Sequence, residues 1–398
     1  MVYCLYNEQA KGIAMLVKPF TLSIPQSKVA DLQRRIKNAR LPQMIEGTGW
    51  ERGVPVAYLK KLATDWSESF DWRKQEAEIN TYDQFTTEIN GQTIHFFHVR
   101  AEDDDAKPIL LLHGWPSSSI EYLKVIDLVT NPKSGKAFTV VAPTIPGFGL
   151  SSPVTRTGWQ SPHTAKAYAE LMKRLGYTRY GVHGSDIGAD ILGELVKIDA
   201  EHIIGAHMAT DTSTIVYSVT AFMGGGDPSQ NPTLSDVQKE QVKKIQQDWQ
   251  EGDGYLKIQS TRPSTFAFGI NDSPVGQLAW QVEKYKIWTN PPDELPEKKI
   301  DLDQMLTNIS LYWFTGSGAA SANYIYENYH AVRDWGAAPQ HIPQGFAIFN
   351  AKTCARPLMD PERKIPHWSE FKEGQHFPAM EVPELFAGDV QKFFSSLQ

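Results

Sequence analysis

The stretch RYGVHGSDIGADILGELVKI, Arg179 to Ile198, decides the fold. Its first six residues read as a short buried strand and its last ten as an apolar helix. Between them stands Gly184-Ser-Asp-Ile-Gly188. A chain that passes from strand to helix this quickly makes a sharp, strained turn, and small neighbours two positions either side let it bend. Centring on Asp186 puts glycines at both places, whereas centring on Ser185 puts His183 and Ile187 there. Asp186 is therefore the residue the turn presents. The helix N-terminus that follows favours negative charge, so its carboxylate is expected to be ionised. An aspartate that merely caps the helix would satisfy the same pattern.

Outward from this turn the chain alternates. QTIHFFHVR, PILLLHG, FTVVAPTIPGFG and IIGAHMAT read as strands, and TAKAYAELMKRLG as a helix closed by Gly176. Strands alternating with helices predict an α/β protein, with a mostly parallel sheet and crossover helices on both faces. Upstream, SKVADLQRRIKNARLP and VAYLKKLATDWSESFDW carry helical stripes (Val29, Leu32, Ile36; Leu59, Leu62, Trp66, Phe70). Downstream of MGGGDPSQNPTLS a block of helices begins, its first bearing a possible capping box from Ser235 to Gln238. Strand character returns at QGFAIFN and the chain closes on the helix VPELFAGDVQKFFSSL. The expected organisation is an N-terminal helical meander over 1–90, a first core part over 91–222, a helical lid over 223–340 and a second core part over 341–398.

The 398 residues carry 41% hydrophobic and 21% charged side chains and a formal net charge of −7, a composition of folded globular proteins without a basic patch. Nucleic acid and an anionic membrane surface are not expected partners. Two cysteines, Cys4 and Cys354, imply neither a disulfide framework nor a thiolate metal site. No apolar run approaches the roughly 18 residues of a spanning helix, and the N-terminus lacks a signal-peptide layout. A cytoplasmic protein is expected. Eleven tryptophans and fifteen tyrosines suit an aromatic core or an aromatic pocket for an apolar ligand.

A carboxylate nucleophile narrows the reactions. Attack on an amide or ester would give a mixed anhydride, which is uphill; attack on an sp³ carbon with a strained or good leaving group gives an ordinary ester. Epoxides and carbon–halogen bonds are the candidates. His113-Gly-Trp-Pro116 follows the PILLL strand, where glycine lets the chain turn its N–H groups inward. The N–H groups of Trp115 and Ile187 are the candidate oxyanion hole. His376, in KEGQHFPAMEVPEL, lies in a late loop before the last helix. Nucleophile first and histidine last is the order of the α/β-hydrolase fold. His376 is the candidate base that activates water.

With these residues in place, the chain resembles the microsomal-type epoxide hydrolases over nearly its whole length. RRIKNARLP, GVPVAYLKKL and FTTEINGQTIHFFHVR resemble that family's meander; LLLHGWPSS, PTIPGFGLSS and GSDIG its core; GYLKIQSTRPSTFAFGINDSPVGQLAW and LYWFTGS its lid; EGQHFPAMEVPELFAGDVQKFF its end. The resemblance implies Asp186 as nucleophile and His376 as base. It also implies Tyr255 as one of two lid tyrosines that donate to the epoxide oxygen, a role a phenol fills without prior charge.

Two positions depart from the family pattern. A gapless match from Tyr312-Trp313 to Glu327-Asn328 puts Ile325 where the second lid tyrosine is expected, with Tyr324 and Tyr326 on either side as candidate substrate-binding groups. The triad acid is expected after GFAIF, but the chain reads Phe349-Asn-Ala-Lys352. A lysine beside His376 would disfavour the imidazolium. Asp211, after the IIGAHMAT strand, and Asp360, beyond Lys352, are the candidate substitutes.

The sequence thus predicts an epoxide hydrolase that opens a bulky apolar epoxide through an aspartyl ester, in aromatic-hydrocarbon or natural-product metabolism. It is expected to need no metal or organic cofactor and to have no partner beyond its small substrate and, at most, a second copy in a homodimer. The altered acid and tyrosine leave two alternatives. One is a cyclase or isomerase of natural-product biosynthesis on the same fold; the other is a non-catalytic ligand-binding relic.

Overall fold

The computed structural model describes residues 16–221, 226–332 and 341–397. Cys4, the N-terminal start and both proposed lid boundaries, at 222/223 and 340/341, lie at least partly outside the described residues.

The core is one nine-stranded sheet. Its strands are β1 (Val17–Phe20), β2 (Gln84–Ile89), β3 (Gln92–Val99), β4 (Pro108–Leu112), β5 (Thr139–Pro143), β6 (Tyr180–Gly184), β7 (Ile203–Asp211), β8 (Gln344–Phe349) and β9 (His367–Glu370). They lie in the order β1-β2-β3-β5-β4-β6-β7-β8-β9. From β5 onward all neighbours are parallel, while β1, β2 and β3 pair antiparallel and β3 joins β5 antiparallel. Every residue of β4, β5 and β6 is buried, which is why their sequences run apolar or small without alternation. β9 is not among the strands read from the sequence: HWSE has neither alternation nor a run of β-formers, and β8 alone recruits it.

The N-terminal segment contributes both helices and two strands. Its second helix is shorter than the apolar stripe implies. Val56–Thr64 ends in a wide turn at Asp65–Ser69, and a new helix, Trp72–Ile79, starts where the Asp71 side chain accepts the N–H groups of Arg73 and Lys74.

The lid comprises the helices Asp236–Gly252, Gly254–Thr261, Pro263–Asp272, Pro274–Ile287, Leu302–Thr315 and Ser317–Tyr329. The first starts with the expected capping box: Ser235 and Gln238 each accept the other's backbone N–H. Helix Leu302–Thr315 clamps the loop after β4. Asn308 donates to the Pro116 carbonyl at 2.7 Å and accepts from Ser118 Oγ at 2.7 Å, and Tyr312 donates to the Ser117 carbonyl at 2.7 Å. On its other side Trp66 of the N-terminal segment donates to Ser310 Oγ at 2.8 Å. The meander therefore braces the lid helix that holds the HGWP turn. Among the described residues no helix is long and apolar enough to cross a membrane.

Candidate active site

Asp186 sits at the strand-to-helix turn with φ 51° and ψ −125°, a conformation rare outside glycine that costs about 1–3 kcal/mol. Close packing enforces it. A Cβ on Gly188 would collide with the Leu112 carbonyl, and one on Gly114 would collide with the Asp186 side chain itself. The two glycine-bearing turns thus pin each other. The Trp115 N–H donates to Asp186 Oδ1 at 2.8 Å, and the Ile187 N–H also bonds the carboxylate.

His376 lies between β9 and the short helix Pro378–Glu381. Its Nε2 stands 3.5 Å from Asp186 Oδ2, and its Nδ1 stands 3.4 Å from Asp211 Oδ2. The loop is fixed from behind. Glu381 accepts the N–H of Gln375 at 3.0 Å and of Phe377 at 3.1 Å, flanking His376 on both sides. The His376 N–H donates to the Trp288 carbonyl at 3.1 Å.

Asp211 is the last residue of β7, in register with Phe349 at the end of β8. The chain leaves both strand ends side by side. Thr212 Oγ1 accepts the Lys352 N–H at 2.9 Å. An acid one strand over thus reaches the same imidazole. Thr214 donates to it twice, N–H to Oδ1 at 3.0 Å and Oγ1 to Oδ2 at 2.7 Å. Lys352 is exposed, with its backbone rather than its ammonium tied to this region.

The charges reinforce the arrangement. Burial pulls the His376 pKa down, but the bonds to Asp186 and Asp211 and their attraction outweigh it and lift the value to about 10. Burial raises both aspartates, and His376 more than compensates, so each sits below the ordinary carboxylate value. In the free enzyme the trio is two carboxylates around one imidazolium.

Tyr255 opens the helix Gly254–Thr261, with its ring parallel to that of Trp115, centroids 5.1 Å apart. Trp288 lies edge-on to it at 5.2 Å, and Trp280 edge-on to Trp115 at 6.5 Å. Asp186 is near enough to add to the rise that burial imposes on the Tyr255 phenol.

Ile325 is buried at the position of the expected second tyrosine. Its neighbours are engaged outside the triad: the Tyr324 hydroxyl meets Thr164 Oγ1 at 2.9 Å, and the Tyr326 ring packs on His330 at 4.2 Å. Asp360 is likewise committed elsewhere. It accepts the N–H groups of Lys364 and Ile365 at 2.7 and 3.2 Å and pairs with Arg356 at 3.2 Å, closing its own turn.

Comparison with known proteins gives the family of the chain. Residues 17–122 match the family described as Epoxide hydrolase N terminus, and residues 107–253 match the alpha/beta hydrolase fold. Epoxide hydrolase 1 of Sus scrofa is 34% identical over 409 residues, covering 96% of this chain and 89% of that protein. The chain belongs to the microsomal-type epoxide hydrolase family. The crystal structure of juvenile hormone epoxide hydrolase from Bombyx mori superposes with a TM-score of 0.79 at 29% identity, covering 96% of this chain and 94% of the other. The structure of Aspergillus niger epoxide hydrolase gives 0.80 at 28% identity, with 96% of each chain covered.

Three groups around the epoxide hydrolase site have no distinguishing signal in the sequence. Glu381 and Thr214 act as described. Glu121 is buried near His376 and Asp186, with burial pushing its pKa up to about 7. A further phenol, Tyr217, stacks on Trp249 at 4.3 Å and feels the charge of Asp186. A cavity of about 350 Å³ borders the acid side of the triad, lined in part by Thr212, Trp249, Trp288, Asn350, Lys352 and Gln375. Among the described residues one group brings three metal-type donors within 4.8 Å: His207, His367 and Asp389. Both imidazoles already hydrogen-bond the carboxylate, and the group lies outside the triad.

Proposed function

We propose that this epoxide hydrolase works through a covalent ester on Asp186. One Asp186 oxygen attacks an epoxide carbon, a C–O bond to the enzyme forms, and the ring C–O bond breaks. The released oxygen takes the phenolic proton of Tyr255; the His376 imidazolium, no longer facing a charged Asp186, gives its proton through water to the phenolate, which restores Tyr255 and leaves His376 neutral. His376 then removes a proton from water, whose oxygen attacks the ester carbonyl. The oxyanion is held by the N–H groups of Trp115 and Ile187, and collapse releases a diol and regenerates Asp186.

The observation that carries this reading is one imidazole held 3.5 Å from Asp186 and 3.4 Å from Asp211. It also orders the steps. With both carboxylates ionised, His376 is an imidazolium and cannot act as base. Ester formation neutralises Asp186 and removes one of the two charges that hold the proton, so His376 becomes a base only once there is an ester to hydrolyse. Asp211, bonded by Thr214, then stabilises the imidazolium as it re-forms.

The aromatic walls formed by Trp115, Tyr255, Trp280 and Trp288 favour a bulky apolar epoxide. The test is single-turnover reaction of His376→Gln with styrene-oxide-type and bulkier epoxides, followed by intact-protein mass. The expected result is a protein heavier by the mass of the substrate, with the modification on Asp186. Consumption of epoxide without any adduct would reject the ester.

A further inference from the structure

A buried ammonium is costly unless strong acceptors replace the water it loses. Lys284, in the lid helix Pro274–Ile287, is 1% exposed, yet its oxygen partners are distant: Glu283 Oε2 at 3.4 Å and the Gly252 carbonyl at 3.5 Å. The rest of its environment is aromatic. Nζ stands 4.4 Å from the centroid of the Tyr255 ring and 5.6 Å from that of Trp288. That same Tyr255 ring lies parallel to Trp115, whose N–H holds Asp186. A cation, the phenol and the attacking carboxylate are thus stacked in one run of contacts.

We infer that Lys284 is a positioning residue for ring opening, its ammonium over the Tyr255 ring making that phenol a stronger donor to the epoxide oxygen. The inference rests on the ester route proposed above. As the ring C–O bond breaks, the leaving oxygen draws the Tyr255 proton, and negative charge develops on the phenolic oxygen and its ring. A cation over a ring is attracted more strongly as that ring becomes anionic. The interaction therefore grows toward the transition state, which is what lowers a barrier. The need is evident. Burial and the charge of Asp186 both make Tyr255 a reluctant acid, and Ile325 stands where the resemblance implies a second phenol. Lys284 also reaches the Gly252 carbonyl, three residues before Tyr255, so the same side chain anchors the turn that carries the donor.

The experiment must separate the charge from the anchor. Lys284→Met and Lys284→Arg are made in the His376→Gln background, and ester formation is followed by intact mass over a range of epoxide concentrations. Lys284→Met is expected to slow ester formation about 10- to 30-fold at saturation, with the half-saturating concentration unchanged. Lys284→Arg, which keeps the cation, should stay within about threefold of the parent. When Tyr255→Phe is also present, Lys284→Met should cost less than about twofold, because the charge then has no donor to act through. Equal slowing with and without the Tyr255 hydroxyl, an unaffected rate in Lys284→Met, or a Lys284→Arg rate as low as that of Lys284→Met would each overturn the inference. If Lys284→Met does not fold, Lys284→Gln takes its place, keeping a donor for Gly252 while losing the charge, with the same outcomes. Absence of adduct in the His376→Gln parent would overturn the ester route itself. Adduct in the parent with no response at Lys284 would overturn the inference alone.

Discussion

Two buried clusters in this molecule are built from the same side chains in inverse proportion. At the carboxyl ends of the strands one imidazole, His376, stands between two carboxylates at 3.4 and 3.5 Å. Beneath the C-terminal helix Pro383–Ser395 one carboxylate, Asp389, stands between two imidazoles, His207 at 3.0 Å and His367 at 3.1 Å. Ser369 donates to its other oxygen, and His183 meets the far nitrogen of His207 at 2.9 Å. In this second cluster burial pulls His207 down further than Asp389 lifts it, while the two histidines more than offset the burial of Asp389 and leave its pKa lowered. Every acceptor on Asp389 is used, and the cluster ties helix to sheet. In the first cluster the bonds are long, the imidazole is charged, and the Asp186 side chain remains 27% exposed. Buried His–Asp contact is common to both. On the reading proposed above, what distinguishes the reactive cluster is a long bond and a carboxylate left partly exposed.

The strongest way to break this contrast is Asp186→Asn. A neutral amide cannot form the ester, so turnover should fall roughly 10⁴-fold or more, with no adduct and an unchanged melting temperature. Turnover is measured on freshly purified protein whose mass excludes deamidation. Near-wild-type activity would make the first cluster as structural as the second.

Asp211→Asn should come next, and it should divide the reaction. Ester formation should stay within about threefold, while ester hydrolysis slows roughly 10²–10⁴-fold and the adduct becomes visible in mass spectra. The pH profile sharpens the point. Asp186 is ionised well below neutrality, so ester formation should be flat between about pH 6 and 9. Hydrolysis needs neutral His376, so its rate should rise with pH through the value His376 adopts in the ester, which lies below the free-enzyme value of about 10. Single-turnover rates across pH separate the two steps. A flat hydrolysis limb would exclude His376 as the base.

Some of this was legible before any fold was known, for reasons that differ by residue. Asp186 is marked by glycines two positions either side, because backbone strain leaves a local signature. His376 is marked by chain order and loop context. Asp211 could be preferred to Asp360 on its place after a core strand but not fixed, because the choice depends on which strand end lies next to β8. Lys284 carries no signal: QVEKYKIW reads as a helix with solvated lysines, and only the packing of the lid buries them both. Strand β9 leaves no trace in the sequence because its pairing, not its composition, makes it a strand. Tyr324 and Tyr326 flank Ile325 in sequence, but a helix directs neighbours about 100° apart, toward Thr164 and His330.

Asp389→Asn tests the other cluster. Both reaction rates should be unchanged, and the fold should lose about 1–3 kcal/mol in urea unfolding, since two buried imidazoles lose an ionic acceptor. The sign with pH follows from the shifts. The lowered pKa of His207 contributes stability that is present above its unfolded value and lost as pH falls. The raised pKa of His376 contributes stability that is present below its unfolded value and lost as pH rises toward about 10. A drop in ester hydrolysis in Asp389→Asn would show that the clusters are coupled and the contrast is too sharp.

The smallest effect is expected at Lys352, which occupies the position where the family resemblance implies the acid. Asp211 and Phe349 are register partners, so the segment carrying Lys352 leaves β8 beside the end of β7, and both line one side of the same cavity through Thr212 and Lys352. A carboxylate restored at 352 should therefore approach the His376 nitrogen that Asp211 now faces. In the Asp211→Asn background, Lys352→Glu is expected to recover about tenfold of the lost ester hydrolysis, part of what a general acid–base partner contributes. No recovery would mean that the Thr214 bonds make the β7 position irreplaceable, not merely adjacent. Lys352→Ala alone should alter turnover by less than about twofold, because an exposed ammonium is screened by water and salt and the bond from its backbone to Thr212 survives the change. A larger loss in Lys352→Ala, read in steady-state turnover at two salt concentrations, would place the ammonium inside the electrostatic circuit of His376, and the triad would then have a fourth member.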